Sequence, residues 1–231
     1  MSAVVALLLV LAAGAESSGS LALPQRIPPA ERMKLREVTD AASLSARVEA
    51  PAFPARRDVF EYLLDHLEFA THVTRALRLA RYKIWHTADG LFLDDGWGAK
   101  GRLELVHAGS GIRAMLARGT FEQRILPDIR GEAVVIIEYT LREEVRGRSE
   151  ITTAVSAYVK IDNPMFALAG RLASTVAADK ADLEARRLVR VFARTSRAVE
   201  DNPAEVYDKI RQRPDVPRDD LEGFRRLLGL P

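Results

Sequence analysis

Between residues 81 and 161 the chain carries five strand-like runs in succession with no helix among them, and nothing else in it constrains the fold as much. The runs are 81-RYKIWHT-87, 102-RLELVHA-108, 112-IRAMLARGTFEQ-123, 133-AVVIIEYTLREE-144 and 150-EITTAVSAYVKI-161. Turn chemistry separates them: Asp89-Gly90, Gly109-Ser110-Gly111, Pro127-Asp128 and Arg146-Gly147. Strands joined by short turns pair with their neighbours, so the order predicts an antiparallel meander. Alternation puts Val135, Ile137, Tyr139 and Leu141 on one face of their strand. Ile151, Thr153, Val155, Ala157, Val159 and Ile161 share one face of the last.

Helices flank the meander. A half-buried strand, 43-SLSARVEAPA-52, precedes 58-DVFEYLLDHLEFATHVTRAL-77, which reads as two short helices bent near Asp65-His66. Asp58 and Glu61 have the spacing of an N-terminal capping arrangement. After the last strand, Asn163-Pro164 is a helix start, and only Gly170 interrupts the helical pattern up to about Glu200. Such a helix is more than about 50 Å long at 1.5 Å per residue. Residues 16–42 read as a linker whose segment 31-ERMKLREVTD-40 forms one or two helical turns, and residues 201–231 as a helical tail.

The stretch 94-DDGWGAKG-101 contains Gly96, Gly98 and Gly101 in a G-x-G-x-x-G pattern. A dinucleotide-binding turn needs a helix opening on these glycines, because the helix N-terminus holds the pyrophosphate. Here a period-two strand follows, so the glycines read as a turn that needs positive φ.

The order of strand, two short helices, a run of strands and one long helix resembles the START-like or Bet v 1-like superfamily, which includes polyketide cyclases and lipid-transfer domains. The resemblance is carried by 47-RVEAPAFPARRDVFEYLLDHLEFATHV-73, by the glycine-rich turn from Gly96 to Gly101, and by the last strand running into Asn163-Pro164. It covers residues 43–200. It implies an α+β helix-grip fold, a curved antiparallel sheet wrapped around a long C-terminal helix. A mostly apolar cavity between the two would bind a lipid or other hydrophobic small molecule. The same cavity could serve a cyclase- or dehydratase-like enzyme, and a filled one would leave a ligand-free interaction module.

The cavity candidates are the large side chains Trp85, Trp97, Met115, Phe121, Ile137, Tyr139 and Val155, with Phe166 and Leu172 from the helix. Core packing explains each of them equally well. Arg186, Arg190, Arg194 and Arg197 form a stripe on the long helix that could touch an anionic membrane surface, although a charged stripe is more often a solvated face. Ala169, Ala173, Ala177 and Ala181 repeat every four residues and suit close packing on the sheet.

No catalytic residue is assigned. His66, His72, His86 and His107 lack the spacing of a metal site, so no metal or cofactor is expected. Glu138 falls on the strand face opposite Ile137 and Tyr139 and is expected to point to solvent, and Asp94 and Asp95 read as turn formers. A net charge of +2 is too small to predict a nucleic-acid footprint.

The first fifteen residues contain the apolar run 3-AVVALLLVLAAGA-15, too short to span a bilayer and ending in Ala13-Gly14-Ala15. This matches a signal-peptide h-region with a small-residue cleavage site, although no Lys or Arg precedes it. The expectation is an exported protein, periplasmic or extracellular. With no cysteine in the chain, its stability must come from its core rather than from disulfides.

Overall fold

The computed structural model describes residues 22–122, 128–143, 149–162 and 174–231. Among these are eight strands and six helices, an α+β arrangement. Helix α1 (Pro29–Thr39) precedes strands β1 (Leu44–Glu49) and β2 (Phe53–Ala55). Helices α2 (Arg57–Asp65) and α3 (Leu67–Ala76) follow. The meander is β3 (Lys83–Thr87), β4 (Gly90–Asp94), β5 (Ala99–Gly109), β6 (Ile112–Phe121), β7 (Ile129–Glu143) and β8 (Ser149–Ile161). The chain closes with α4 (Ser174–Asp201), α5 (Pro203–Arg211) and α6 (Arg218–Leu227).

All pairings are antiparallel, in the order β1-β8-β7-β6-β5-β4-β3, with β2 also on β8. The first strand thus pairs with the last, and one curved sheet results. A bulge between Leu105 and His107 adds local twist. With α2 and α3 after the first strands and α4 laid on β1 and β2, the arrangement is consistent with a helix grip. The sequence pattern missed β2 and β4, which are three and five residues long.

The centre of the sheet is buried on both faces. On the inner face Met115, Val135, Ile137, Tyr139, Ile151 and Val155 form one core with Phe60, Leu64, Leu188 and Val189 from the helices. Phe60 meets Tyr139 and Phe192 edge-on, with ring centroids 5.2 and 6.2 Å apart. On the outer face Ile112, Leu116, Val134, Ile136 and Tyr158 pack against Ile27, Leu35 and Val38. Residues 29–39 are therefore more than part of a linker. They form a three-turn helix with Pro29 in its first turn, and its buried Leu35 and Val38 cover the outer face. The Glu31 carboxylate, 2.6 Å from His107 Nδ1, ties the helix to β5.

A third cluster holds the C-terminal helices. Phe69 and Phe224, both fully buried, meet with centroids 5.0 Å apart, surrounded by Val59, Val73, Val199, Val206 and Ile210. Tyr62 donates its hydroxyl to the Asp220 carbonyl at 3.1 Å, and Arg56 reaches the Leu227 carbonyl at 2.7 Å. Burial pushes the Tyr62 hydroxyl up to about 12. Residues 203–227 form a packed layer over α2 and α3.

One local reading changes and one holds. Asp58 is not the N-cap of α2, which begins at Arg57; from inside the first turn its carboxylate accepts from the Val59 amide at 2.8 Å and pairs with Arg56. The expected bend at Asp65-His66 is present, because His66 has φ −111° and ψ 68°, outside the helical region.

Candidate functional site

The inner face of the sheet changes character along its strands. At the end near the β4–β5 turn, Gly101 pairs with Gly119 and Gly119 with Gly131, which makes a row of three glycines across β5, β6 and β7. The adjoining row is Leu103, Ala117, Ala133 and Val159. Missing or small side chains leave a narrow slot on the concave face, walled by Leu93, Phe121, Ile129, Val159 and Ile161. The empty space along it, open solvent at the mouth included, is about 550 Å³.

The glycines have a backbone reason as well. A Cβ on Gly119 would stand 2.1 Å from the Lys100 carbonyl oxygen, one on Gly101 2.3 Å from that of Arg118, and one on Gly131 2.6 Å from that of Lys160. The strands approach too closely there for any side chain, as at a sharp bend in a sheet. The curvature and the slot thus have one cause.

Charged residues border the slot in sequence, yet alternation turns their side chains to the other face. Glu132 accepts hydrogen bonds from Arg118 and Lys160 there, and these outweigh its burial to hold its carboxyl below the usual range. Lys100 pairs with Glu122 and Arg102 with Asp89. The slot lining is apolar.

The glycine-rich turn behaves as the strand pattern after it requires. Gly96 and Gly98 have φ of +74° and +118°, and the Asp95 carboxylate accepts from the amides of Trp97 and Ala99. The Asp94 carboxylate accepts from the Gly96 amide at 2.7 Å. Both aspartates are turn formers.

The other end of the inner face holds a polar quartet. The buried Arg113 guanidinium forms two bonds to Asp65, at 2.6 and 3.0 Å, and donates to the Gly109 and Ile112 carbonyls and to the Tyr139 hydroxyl. Tyr139 donates in turn to Glu61 at 3.1 Å. Burial raises the Tyr139 hydroxyl although Arg113 opposes it. Six residues of strand separate Ala133 from Tyr139, about 20 Å. Each group is committed to a partner, so the quartet anchors α2 to the sheet.

The nine cavity candidates divide. Phe121 lines the slot. Met115, Ile137, Tyr139 and Val155 are on the same inner face but inside the packed core. Trp85 is on the opposite face, because its neighbour Ile84 and that residue's partner Leu93 point inward. There it packs against Phe92, ring centroids 5.0 Å apart. Trp97 is 45% exposed at the tip of its turn, with the Arg81 guanidinium 5.4 Å from its ring centroid. Phe166 and Leu172 lie outside the described residues, as do residues 1–15 and much of the alanine stripe. The slot is made by small residues, Gly101, Gly119, Gly131, Ala117 and Ala133, and none of these is among the nine. Glycines recurring inside strand patterns were the available signal.

Glu138 faces outward as alternation requires, but it is not free in solvent. Arg26 and Arg47 bond it at 3.0 and 2.6 Å. Burial alone would raise its carboxyl, and the two guanidinium bonds outweigh that and hold it below the usual range. The histidines are dispersed: His66 stacks on Tyr62, His86 stands 3.6 Å from Glu68, and His72 stands 3.7 Å from Asp215. Burial lowers the His72 pKa more than Asp215 raises it. Arg186, Arg190, Arg194 and Arg197 are exposed on one side of α4. No described helix is long and apolar enough to cross a membrane.

No protein-family model matches the sequence, and no curated protein does. Among solved structures, a hypothetical protein from Helicobacter pylori is similar at 12% identity and a TM-score of 0.42, covering 79% of this chain and 99% of its own. A truncated norcoclaurine synthase from Thalictrum flavum is similar at 12% identity and a TM-score of 0.33, covering 64% and 94%. At such TM-scores both likenesses leave the fold resting on the strand order and helix placement above.

Proposed function

We propose that this chain is an exported START-like, Bet v 1-like protein that binds a lipid or another hydrophobic small molecule in the concave slot. The observation that carries the reading is the slot itself: an apolar, open-mouthed recess produced by the glycine row, with every bordering charge turned to the opposite face. Sites for apolar ligands are concave and mostly apolar, and they release solvent as the ligand enters. A narrow recess suits one acyl chain or one flat ring better than a bulky ligand. Binding is reversible burial, with no covalent step.

The enzyme reading draws its support from the Arg113, Asp65, Tyr139 and Glu61 quartet, the convergent ionisable groups of the inner face. Those groups are bonded to one another about 20 Å along the strand from the slot, which favours the carrier. Export rests on the apolar run from Ala3 to Ala15, and N-terminal sequencing of the chain recovered from the cell envelope tests it.

The test of binding is native mass spectrometry of the purified chain, followed by organic extraction. A near-stoichiometric lipid or apolar metabolite is expected. An apo mass that stays unchanged after exposure to a lipid extract would overturn the proposal.

A further inference from the structure

Three of the arginines on α4 border a second opening. Arg186, Arg190 and Arg197 stand with Val189 and Ala193 on one side of a cleft whose other side is the β1–β2 connection from Val48 to Phe53. Its empty volume, counted to the mouth, is about 770 Å³. Its floor is apolar, because Val48, Ala50, Phe53 and Val189 belong to the inner core and their outer edges face the cleft.

The charge at its rim is one-sided. Among the described residues Glu49 is the one carboxylate of the lining; its side chain is 77% exposed and lies 3.9 Å from Arg47. Arg190 and Arg197 are exposed, and neither forms an ion pair or hydrogen bond among the described residues. Seven residues, about 10.5 Å along the axis, separate them on one helix face. Two long side chains from that face can converge on one anion. The guanidinium fork matches a phosphate or carboxylate in geometry as well as charge.

We propose that this cleft binds one molecule of an anionic amphiphile. Its phosphate or carboxylate head sits between Arg190 and Arg197, and its apolar part lies along Val48, Ala50, Pro51 and Val189. The site is at the β1–β2 edge of the molecule and does not depend on the concave slot being a ligand site.

The test is isothermal titration of the full chain with dodecyl phosphate held below its micelle-forming concentration. Inorganic phosphate, dodecanol, and vesicles of phosphatidylglycerol or phosphatidylcholine serve as comparisons. One-to-one binding is expected, weakened about tenfold or more by R190Q/R197Q, with dodecanol and inorganic phosphate both much weaker than dodecyl phosphate. Both substitutions are at exposed positions, and an unchanged thermal midpoint shows that the variant is folded. Binding that survives R190Q/R197Q, or inorganic phosphate binding as tightly as dodecyl phosphate, would overturn the proposal. Binding confined to phosphatidylglycerol vesicles, with monomeric dodecyl phosphate silent, would overturn it in favour of a bilayer surface.

Discussion

The two faces of the sheet are made by the same strands and end up with opposite shapes. Outward residues Ile112, Leu116, Ile136 and Tyr158 are large and closed over by α1 in a packed apolar contact. Inward residues at the β4–β5 end shrink to Gly101, Gly119, Gly131, Ala117 and Ala133, and among the described residues no side chain of comparable size fills the recess. Neighbouring residues on one strand thus divide between a packed contact and an open recess. A strand residue changes face with every step, so large and small residues can alternate without conflict.

The comparison can be broken most severely at the glycine row. Gly119→Ala places a Cβ 2.1 Å from a carbonyl oxygen of the next strand, where no side-chain rotation relieves it. We expect more than about 3 kcal/mol of destabilisation, measured as the urea unfolding midpoint. Next comes the outer face. Ile136→Ala removes a fully buried side chain and should cost about 2–5 kcal/mol while leaving ligand uptake at the wild-type level. If uptake fell with it in a chain still folded, the two faces would not be independent.

The polar quartet sharpens the contrast within the inner face. Asp65→Ala leaves the buried Arg113 without its two charged bonds and should cost about 2 kcal/mol, a figure reduced because Asp65 is 39% exposed. Ligand affinity should hold, since the slot is about 20 Å away along the strand. Smallest is the pH effect at Glu138. Its native pKa lies below the unfolded value, so the native state binds fewer protons and the stabilisation is present above the unfolded pKa. It is lost as pH falls through the lowered native value. The stability difference between the wild type and Glu138→Gln should therefore shrink between about pH 5 and pH 3.

The meander and its flanking helices were legible because they rest on local patterns: Asp89-Gly90 closes a hairpin, and Asp58 to Leu77 shows helical spacing; the short β2 and β4 and the long-range β1–β8 pairing were not. The cover on the outer face was not. Alternation assigns the run 133-AVVII-137 one apolar face, whereas five apolar residues in a row fit a strand buried on both. Val134 and Ile136 needed a partner, and the mostly charged segment 31–40 supplies it through Leu35 and Val38. The slot was hidden for a different reason. Large apolar residues such as Trp85 drew attention as ligand contacts, while a recess is defined by what its residues lack. Which face is concave depends on cross-strand register, and alternation along one strand carries no such information.

The central claim is that small residues on the concave face create a ligand site. Its most direct test is fluorescence titration with N-phenyl-1-naphthylamine, a neutral apolar probe, of the wild type, Ala117→Leu and Ile161→Trp. Each substitution fills the slot from a different wall. Saturable binding by the wild type, weakened about tenfold or more in whichever variants keep the wild-type circular dichroism, is the predicted result. Equal binding by the wild type and a folded, filled variant would contradict it and place the apolar site elsewhere on the molecule.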